Sequence, residues 1–421
     1  MNTVTNLFLL LSLGLGTSCL MAQTPTYTQH IQPIIMKNCA TPCHHPGGVG
    51  PFSLLTYEDV TKRGKFVAKV TQIRYMPPFP ADRQFQHYAN ERGLSDSEIA
   101  LIGKWVSGGM AVGSKQSAVS GKPSVNSLPT AHWQLPTKNP DLVLRMTKPY
   151  AIPGDGREDF RYFHIPTKLK EDVWLEAIEF VPGNRKLLHH SRLMVDTTGT
   201  MAGIDGMAED DPRVAQFQRT PLADEFLYGW VPGNDRVVFP AGSAKRLRAG
   251  SDLIVNIHYA PSGKPDTDLS EVRLYFAKKP VTKPVRTLTL TENNISNQPF
   301  LIPANQKKSF FIQYGPLPDT VRLLSVLPHM HWLGKTVRAF AVTPEGDAIN
   351  LIKIDDWNYN WQMTYFFRQP LVLPPGTVIL AEANYDNTPD NPLNPNRPPR
   401  DVPYGWNSTN EMMNLVFYFT Q

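Results

Sequence analysis

Cysteine is scarce in this chain and confined to one end. Only 3 cysteines occur among 421 residues, and all of them precede residue 44. Disulfides are the usual reinforcement of exported domains that are too small to build a large core. Their absence from the long remainder predicts that core packing, not cross-linking, holds the larger part of the chain together.

The chain also lacks a strong charge bias. Its 42 Lys and Arg residues nearly balance 37 Asp and Glu residues, the net charge is only +5, and no run of basic residues occurs. Nucleic-acid-binding domains carry clustered positive charge. The composition therefore argues against nucleic acid as a partner.

Long apolar segments are missing beyond the N-terminus. Leu7–Leu20 is an apolar run after a polar start, and Ala22 offers a small residue for cleavage, so residues 1–22 are predicted to be a secretory signal peptide. A lipid anchor at Cys19 is the lower-ranked alternative, because the usual Leu three residues earlier is absent. After residue 22, no segment of the sequence reaches the ~18 consecutive apolar residues that a membrane-spanning helix needs. We expect an exported protein, periplasmic or extracellular, with no transmembrane segment after the signal.

Residues 24–113 carry the periodicity of short helices. Tyr27–Asn38 and Tyr57–Tyr75 have helical apolar spacing, and the second ends before a Pro-Pro pair that forbids continuation. Ser95, with Glu98 three residues later, makes a capping box for a third helix. These features predict a small all-α domain.

This helical region resembles a c-type cytochrome domain. Cys39, Cys43 and His44 form a Cys…Cys-His turn, and Met76 follows later in the chain. In that family the two cysteines attach haem, while the His and a distal Met ligate the iron. The resemblance implies haem c on Cys39 and Cys43, with His44 and Met76 as axial ligands. Three residues separate the cysteines instead of the usual two, so a Cys39–Cys43 disulfide in a haem-free domain is the alternative.

Beyond a linker, the sequence predicts β-structure. Residues 114–140 are rich in Ser, Gly, Pro, Lys and Thr and lack apolar periodicity. The rest alternates short apolar runs with Pro-, Gly- and Asn-rich turns, which predicts a mainly β chain with two tandem antiparallel β-sandwich (jelly-roll-like) domains, residues 141–285 and 286–421. The predicted strands are Val173–Phe180, Leu187–Val195, Leu253–Tyr259, Val272–Phe276, Leu323–Leu327, Thr336–Val342, Val378–Tyr385 and Asn414–Phe419.

Five histidines of the β-region occupy positions that suit metal binding. His329 and His331 are two residues apart between strand-like flanks, so their side chains point to one face. Two imidazoles on one face form a bidentate site for copper or zinc. His189 and His190 are adjacent, so both reach one metal only if their strand bends there. His258 lies near the end of another predicted strand.

The order of these histidines resembles the copper type II, ascorbate-dependent monooxygenases, which include the peptidylglycine- and dopamine-hydroxylating enzymes. The Leu-Gly-Lys after His331 and the Glu-Met-Met-Asn-Leu around Met412 match the wording of that family closely. The resemblance spans residues 141–421 and implies two copper ions. The implied ligands are His189, His190 and His258 for one copper, and His329, His331 and Met412 for the catalytic copper that activates oxygen.

The resemblance also implies a reaction and a type of substrate. The reaction is hydroxylation of a C–H bond of a small molecule, with O2 and two electrons from an external donor. Peptidylglycine enzymes hold the substrate carboxylate with an Arg and a Tyr, where this chain has Leu327 and Val416, although the pocket residue Asn414 is kept. We therefore expect a less anionic substrate, apolar or aromatic. Haem in the helical domain would supply electrons to the all-histidine copper.

Two other classes of function stay open. The first is an exported copper-binding protein for electron transfer or copper handling, without oxygenase activity. The second is a structural β-sandwich that binds no stoichiometric metal. Four aromatic residues near the His pair are expected to be core or cleft wall, without a chemical role: Trp332, Trp357, Tyr359 and Trp361.

Overall fold

The structure is a computed structural model that describes residues 24–46, 50–113, 139–217, 226–232, 236–405 and 408–421. The predicted signal peptide, Cys19 and residues 114–138 of the predicted linker lie outside these described residues. Within the described part, no helix is both long enough and apolar enough to cross a membrane.

Strands dominate the described chain, as the sequence predicted, and each predicted strand overlaps an observed one. The helices are Tyr27–Ile31, Gln32–Ile35, Met36–Ala40, Tyr57–Thr61, Gly64–Gln72, Asp96–Ser107, Thr200–Ile204, Pro212–Phe217 and Glu292–Asn294. The strands are β1 (Leu142–Arg145), β2 (Tyr150–Ile152), β3 (Asp159–Ile165), β4 (Val173–Val181), β5 (Leu188–Asp196), β6 (Met207–Ala208), β7 (Phe226–Trp230), β8 (Val237–Val238), β9 (Ser243–Leu247), β10 (Asp252–Tyr259), β11 (Asp266–Asp268), β12 (Glu271–Phe276), β13 (Lys283–Leu290), β14 (Leu301–Ile302), β15 (Lys307–Tyr314), β16 (Val321–His329), β17 (Gly334–Val342), β18 (Ala348–Ile354), β19 (Tyr365–Leu373), β20 (Val378–Asp386), β21 (Val402–Pro403) and β22 (Asn414–Thr420).

The helical region has its own apolar core. Ser95 and Glu98 form the predicted capping box at the start of Asp96–Ser107. Buried side chains such as Ile31 and Trp105 pack in a cluster that is separate from the clusters of the β-region. These helices therefore pack around apolar side chains of their own region.

The single helix predicted over Tyr57–Tyr75 is broken in the structure. Tyr57–Thr61 and Gly64–Gln72 are separate helices. A Cβ on Gly64 would lie 2.5 Å from Sδ of Met110. The missing side chain lets the second helix start close against that segment, a contact that helical periodicity does not report.

The strands build three larger sheets and two short ribbons. The nine-stranded sheet has the order β1-β12-β4-β9-β13-β22-β16-β19, with β8 beside β4; the five-stranded sheet is β6-β3-β10-β5-β7, and the four-stranded sheet is β15-β20-β17-β18. Strand β13 pairs in parallel with β9 and antiparallel with β22. The boundary predicted between residues 285 and 286 falls inside β13, so one sheet continues across it.

The two faces of β16 and β22 belong to different cores. Val326 and Phe417 face the core shared with the four-stranded sheet. Leu327 and Val416 face the core shared with the five-stranded sheet. Because side chains alternate along a strand, His329 lies on the face of Leu327, which is turned toward the N-terminal half.

The helical region is anchored on the C-terminal half of the chain. Tyr88 forms an isolated β-bridge with Phe367, and its hydroxyl donates to the Leu351 carbonyl at 2.8 Å. Asn90 Nδ2 donates to the Thr364 carbonyl at 2.7 Å. These contacts fix the helical region to β18, β19 and the loop between them.

Candidate metal centres

Three histidines of the N-terminal half converge on one point. His258 on β10 is the register partner of His190 on β5, and the register then shifts so that Tyr259 pairs with Leu188 and His189 is an extra residue. This β-bulge is the bend that adjacent histidines need in order to face one metal. The Nδ1 atoms lie 3.3 Å apart for His189 and His190, 3.2 Å for His189 and His258, and 3.4 Å for His190 and His258.

The spacing of these nitrogens suits a single metal ion. Three atoms about 3.3 Å apart have a common centre about 3.3/√3 ≈ 1.9 Å from each, and metal–imidazole bonds are about 2.0 Å long. Burial lowers the pKa of His189 to about 4 and that of His190 well below its ordinary value. Both rings are therefore neutral at pH 7, which is the form that binds metal.

The His258 ring is held from two sides. Phe160 stacks on it with ring centroids 4.0 Å apart and planes at 8°. Glu158 Oε1 lies 3.6 Å from His258 Nε2, a buried nitrogen without a hydrogen-bond partner. Burial alone would raise the pKa of the Glu158 carboxyl. The nearby His258 and His189 lower that pKa by more than burial raises it, so it lies below its ordinary value. A carboxylate facing the far nitrogen is how proteins orient metal-binding histidines.

The second pair of histidines has its ring protons fixed by acceptors. Nδ1 of His329 lies 2.5 Å from Gln362 Oε1, and Nδ1 of His331 lies 3.1 Å from the Asn410 carbonyl. Both partners accept, so Nδ1 carries the proton and Nε2 is the basic nitrogen of each ring. His329 Nε2 is buried without a hydrogen-bond partner, and burial holds the pKa of His329 well below its ordinary value. An unpaired basic nitrogen in the interior fits a metal ligand.

Met412 belongs to the segment that pairs with the strand of His329. The last register pair of the two strands is His329 with Asn414, two residues after Met412, and the Glu411 carboxyl binds the backbone N–H groups of both His331 and Met412. Met412 is fully buried, and its Sδ lies 3.5 Å from Asn414 Nδ2. Two imidazoles and a thioether make a soft donor set that favours Cu(I) over zinc.

The Glu411 carboxyl group binds backbone N–H groups in both segments of this site, the one that contains His331 and the one that contains Met412. Its buried carboxylate accepts the backbone N–H groups of His331, Leu333 and Met412 at 2.8, 2.6 and 3.1 Å. Burial raises the pKa of this carboxyl to about 8, against the opposing effect of these N–H groups. The sequence marked Glu411 only as part of a motif; its positioning role became visible with the fold.

A mostly apolar cavity of about 60 Å³ joins the two clusters. His190 and His329 both border it, and so do Leu327 and Val416, the two positions at which the sequence predicted an apolar pocket. Further walls are Phe226, Trp230, the Arg192 guanidinium that is paired with Glu209 at 2.9 Å, Ser191, Thr289 and Asn414. The side-chain oxygens of the last three are buried without hydrogen-bond partners, so the cavity offers a few unpaired polar atoms on an apolar surface.

The predicted haem residues are only partly brought together. No disulfide joins Cys39 and Cys43, in contrast to the alternative prediction. Cys43 and His44 both donate their N–H to the Cys39 carbonyl, at 3.2 and 2.9 Å, so the turn is helical and the thiols share one face. His44 Nδ1 lies 3.1 Å from the Phe52 carbonyl, which leaves Nε2 for iron. Met76 lines a cavity of about 150 Å³ whose walls do not include these three residues.

Comparisons with known proteins assign no family. No family model matches the chain, and no curated protein is found to match it. Similar solved structures include the major capsid protein P2 of bacteriophage PM2, at 10% identity over 66% of this chain and 97% of that one with a TM-score of 0.27. The infectious bursal disease virus VP2 subviral particle is 10% identical over 69% and 76%, with a TM-score of 0.17. Allantoicase from Saccharomyces cerevisiae is 9% identical over 65% and 81%, with a TM-score of 0.18. Likenesses at these TM-scores carry no information on function.

Proposed function

We propose that this chain is an exported copper-dependent monooxygenase of the copper type II, ascorbate-dependent family, which hydroxylates a C–H bond of a small molecule with O2 and two electrons. One observation carries the proposal: the His189–His190–His258 cluster and the His329–His331 pair lie on distant strands, and His190 and His329 border one cavity. The first cluster is all imidazole, and the proposed second site adds the Met412 thioether to its two imidazoles. That pairing of donor sets suits two copper ions with different tasks.

The side chains of each cluster have separate roles in this proposal. Bound copper would supply one-electron chemistry and, at the His/His/Met site, an open coordination position for O2. Gln362 and Asn410 retain the Nδ1 protons of His329 and His331, so that Nε2 of each ring is available to the metal. The Glu158 carboxylate faces the far nitrogen of His258 at 3.6 Å. These contacts orient the ligands before metal arrives.

The cavity supports a neutral, largely apolar substrate. Leu327 and Val416 form part of its wall and offer no charge to a carboxylate, and the one cation among the lining residues, Arg192, is already paired with Glu209 at 2.9 Å. Asn414 Oδ1 is buried without a partner, so a substrate O–H or N–H group would satisfy it. A panel of C-terminally glycine-extended peptides tests this substrate class. We expect no efficient turnover of those peptides, and efficient turnover would contradict the apolar pocket.

Haem c in the helical region is a further part of the proposal, as an electron source. Cys39 and Cys43 would hold it by thioethers, His44 Nε2 would ligate the iron, and Met76 is the proposed second ligand. The helical turn and the His44–Phe52 contact support the first three residues. An absorption spectrum of the reduced protein tests the idea. A missing haem band would remove this electron source and leave the copper sites untouched.

Metal analysis and oxygen uptake together test the proposed function. Two copper ions per chain and substrate-dependent O2 consumption with an added reductant are the expected results. Copper without O2 consumption would favour a copper-handling or electron-transfer protein. A protein purified from the exported fraction with no stoichiometric metal would leave only a structural β-protein.

A further inference from the structure

One loop of the C-terminal half contacts ligands of both clusters. It is Trp357–Gln362, within the connection between β18 and β19, and we call it the bridging loop. The sequence predicts that Trp357 and Tyr359 are core or cleft wall, without a chemical role. Their contacts assign the loop a positioning role.

The bridging loop holds both histidines of the second cluster. Gln362 Oε1 lies 2.5 Å from His329 Nδ1. Trp357 Nε1 donates to the backbone carbonyl of His331 at 3.1 Å. The orientation of one ring and the backbone position of the other therefore depend on this loop.

The same loop reaches across to the first cluster. The Tyr359 ring is 3% exposed, and its centroid lies 6.4, 6.2 and 6.3 Å from the rings of His189, His190 and His258. It also lies 5.9 Å from the ring of His331. One aromatic side chain thus packs against ligands of both sites.

Two contacts make the loop act as a unit between the sites. The Asn360 side chain is close enough to His189 to oppose the lowering of the His189 pKa by burial. Gln362 Nε2 donates to the Tyr359 carbonyl at 2.9 Å. The side chain that orients His329 is therefore fixed to the residue that packs on the first cluster.

We propose that the bridging loop couples the two metal sites, so that metal in the His189–His190–His258 site raises the metal affinity of the His329–His331–Met412 site, and the reverse. Metal in the first site fixes three rings against Tyr359 and so orders the loop. The bridging loop then loses less conformational freedom when the second site binds metal, and this gives positive cooperativity between the two sites. Coupling between two sites is reciprocal and commonly five- to 150-fold, and we expect about tenfold. The inference rests on both sites holding metal and does not depend on hydroxylation.

Anaerobic Cu(I) titration of the full exported chain against a chromophoric chelator tests the coupling. His190→Ala removes a ligand of the first site, and we expect the second site to bind Cu(I) about tenfold more weakly in this variant than in the wild type. Tyr359→Leu and Asn360→Ala should each lower the Cu(I) affinity of the second site by a similar factor when the first site is filled. In the His190→Ala background, neither change should lower that affinity further. Because Asn360 is exposed, Asn360→Ala should fold normally, and it tests the coupling even if Tyr359→Leu does not fold. Asp356→Ala, an exposed neighbour of the loop, is the matched control and should change nothing.

The outcomes separate this inference from the proposed function. A second site that binds Cu(I) with unchanged affinity in His190→Ala, Tyr359→Leu and Asn360→Ala would overturn the coupling and leave the copper sites standing. A wild-type chain that binds no Cu(I) would overturn both proposals.

Discussion

Replacing Glu411 with alanine should weaken the fold around Met412 and the second metal site together. The Glu411 carboxylate accepts N–H groups from His331, Leu333 and Met412 at 2.8, 2.6 and 3.1 Å. Glu411 is fully buried, so these donors would lose their acceptor where water does not replace it. A buried N–H without a partner costs about 1–3 kcal/mol. The free energy of unfolding should therefore fall by about 3–9 kcal/mol, nearer the lower figure if the turn opens to water.

Urea unfolding of the metal-free protein measures this loss, and Cu(I) competition measures the second site. Glu411→Gln keeps one of the two oxygens, so about half of the loss is expected. Glu345→Ala, on an exposed turn, is the control and should change neither property. If Glu411→Ala unfolds at the same urea concentration as the wild type and binds two Cu(I) ions equally well, the carboxylate does not hold Met412 beside His331.

Further changes test the individual ligands. Met412→Ile keeps an apolar side chain of similar size without the thioether, so copper content should fall from two to one, and a retained second copper would refute the ligand assignment. Glu158→Gln should weaken metal binding at the first site by about 10- to 100-fold in a chelator competition, because a neutral amide orients the His258 ring less strongly than a carboxylate; unchanged affinity would count against this contact. Metal-free protein should lose stability as pH falls from 6.5 toward 4, because His189, His190 and His329 take up protons near their ordinary pKa only when unfolded, while the raised pKa of Glu411 opposes the effect of just one of them. Each such histidine contributes about 1.4 kcal/mol per pH unit in this window, and equal urea midpoints at pH 7 and pH 5 would contradict a neutral, buried ring.

The metal ligands were accessible to sequence reasoning because their spacing has a direct geometric meaning. His329 and His331 share a strand face by alternation alone. The adjacent pair His189 and His190 required a bend, and the structure supplies it as a bulge opposite His258. Local patterns of this kind predict which side chains share a face of a strand, but they do not predict which strands pair with each other.

The residues that connect the clusters needed the fold. Glu411 contacts the turn after β16 from about 80 positions away in the chain, and Tyr359 meets His189 from the other half of the molecule. Nothing in their immediate sequence distinguishes them from a core glutamate or a core tyrosine. Strand order, which sets such long-range contacts, is fixed by packing of whole sheets rather than by local propensity.

The domain boundary, too, could not be predicted from local sequence patterns. Alternation predicted the strands of residues 141–421, but the parallel pairing of β9 with β13 carries one sheet across the expected boundary. In the helical region, two helices form where periodicity predicted one, and Gly64 at the start of the second helix permits close contact with Met110. Strand pairing and this contact both join segments that are distant in the sequence, which local patterns do not report.

The X-ray absorption spectrum of Cu(I)-loaded protein tests the two copper sites most directly. It is best recorded in a Cys39→Ser, Cys43→Ser background, which removes the two cysteine sulfurs as competing ligands. We expect two copper ions per chain, one sulfur ligand shared on average between them, and loss of that sulfur signal in Met412→Ile. Copper bound only by nitrogen and oxygen, or a sulfur signal that survives Met412→Ile, would contradict the His329–His331–Met412 site and with it the proposed oxygen chemistry.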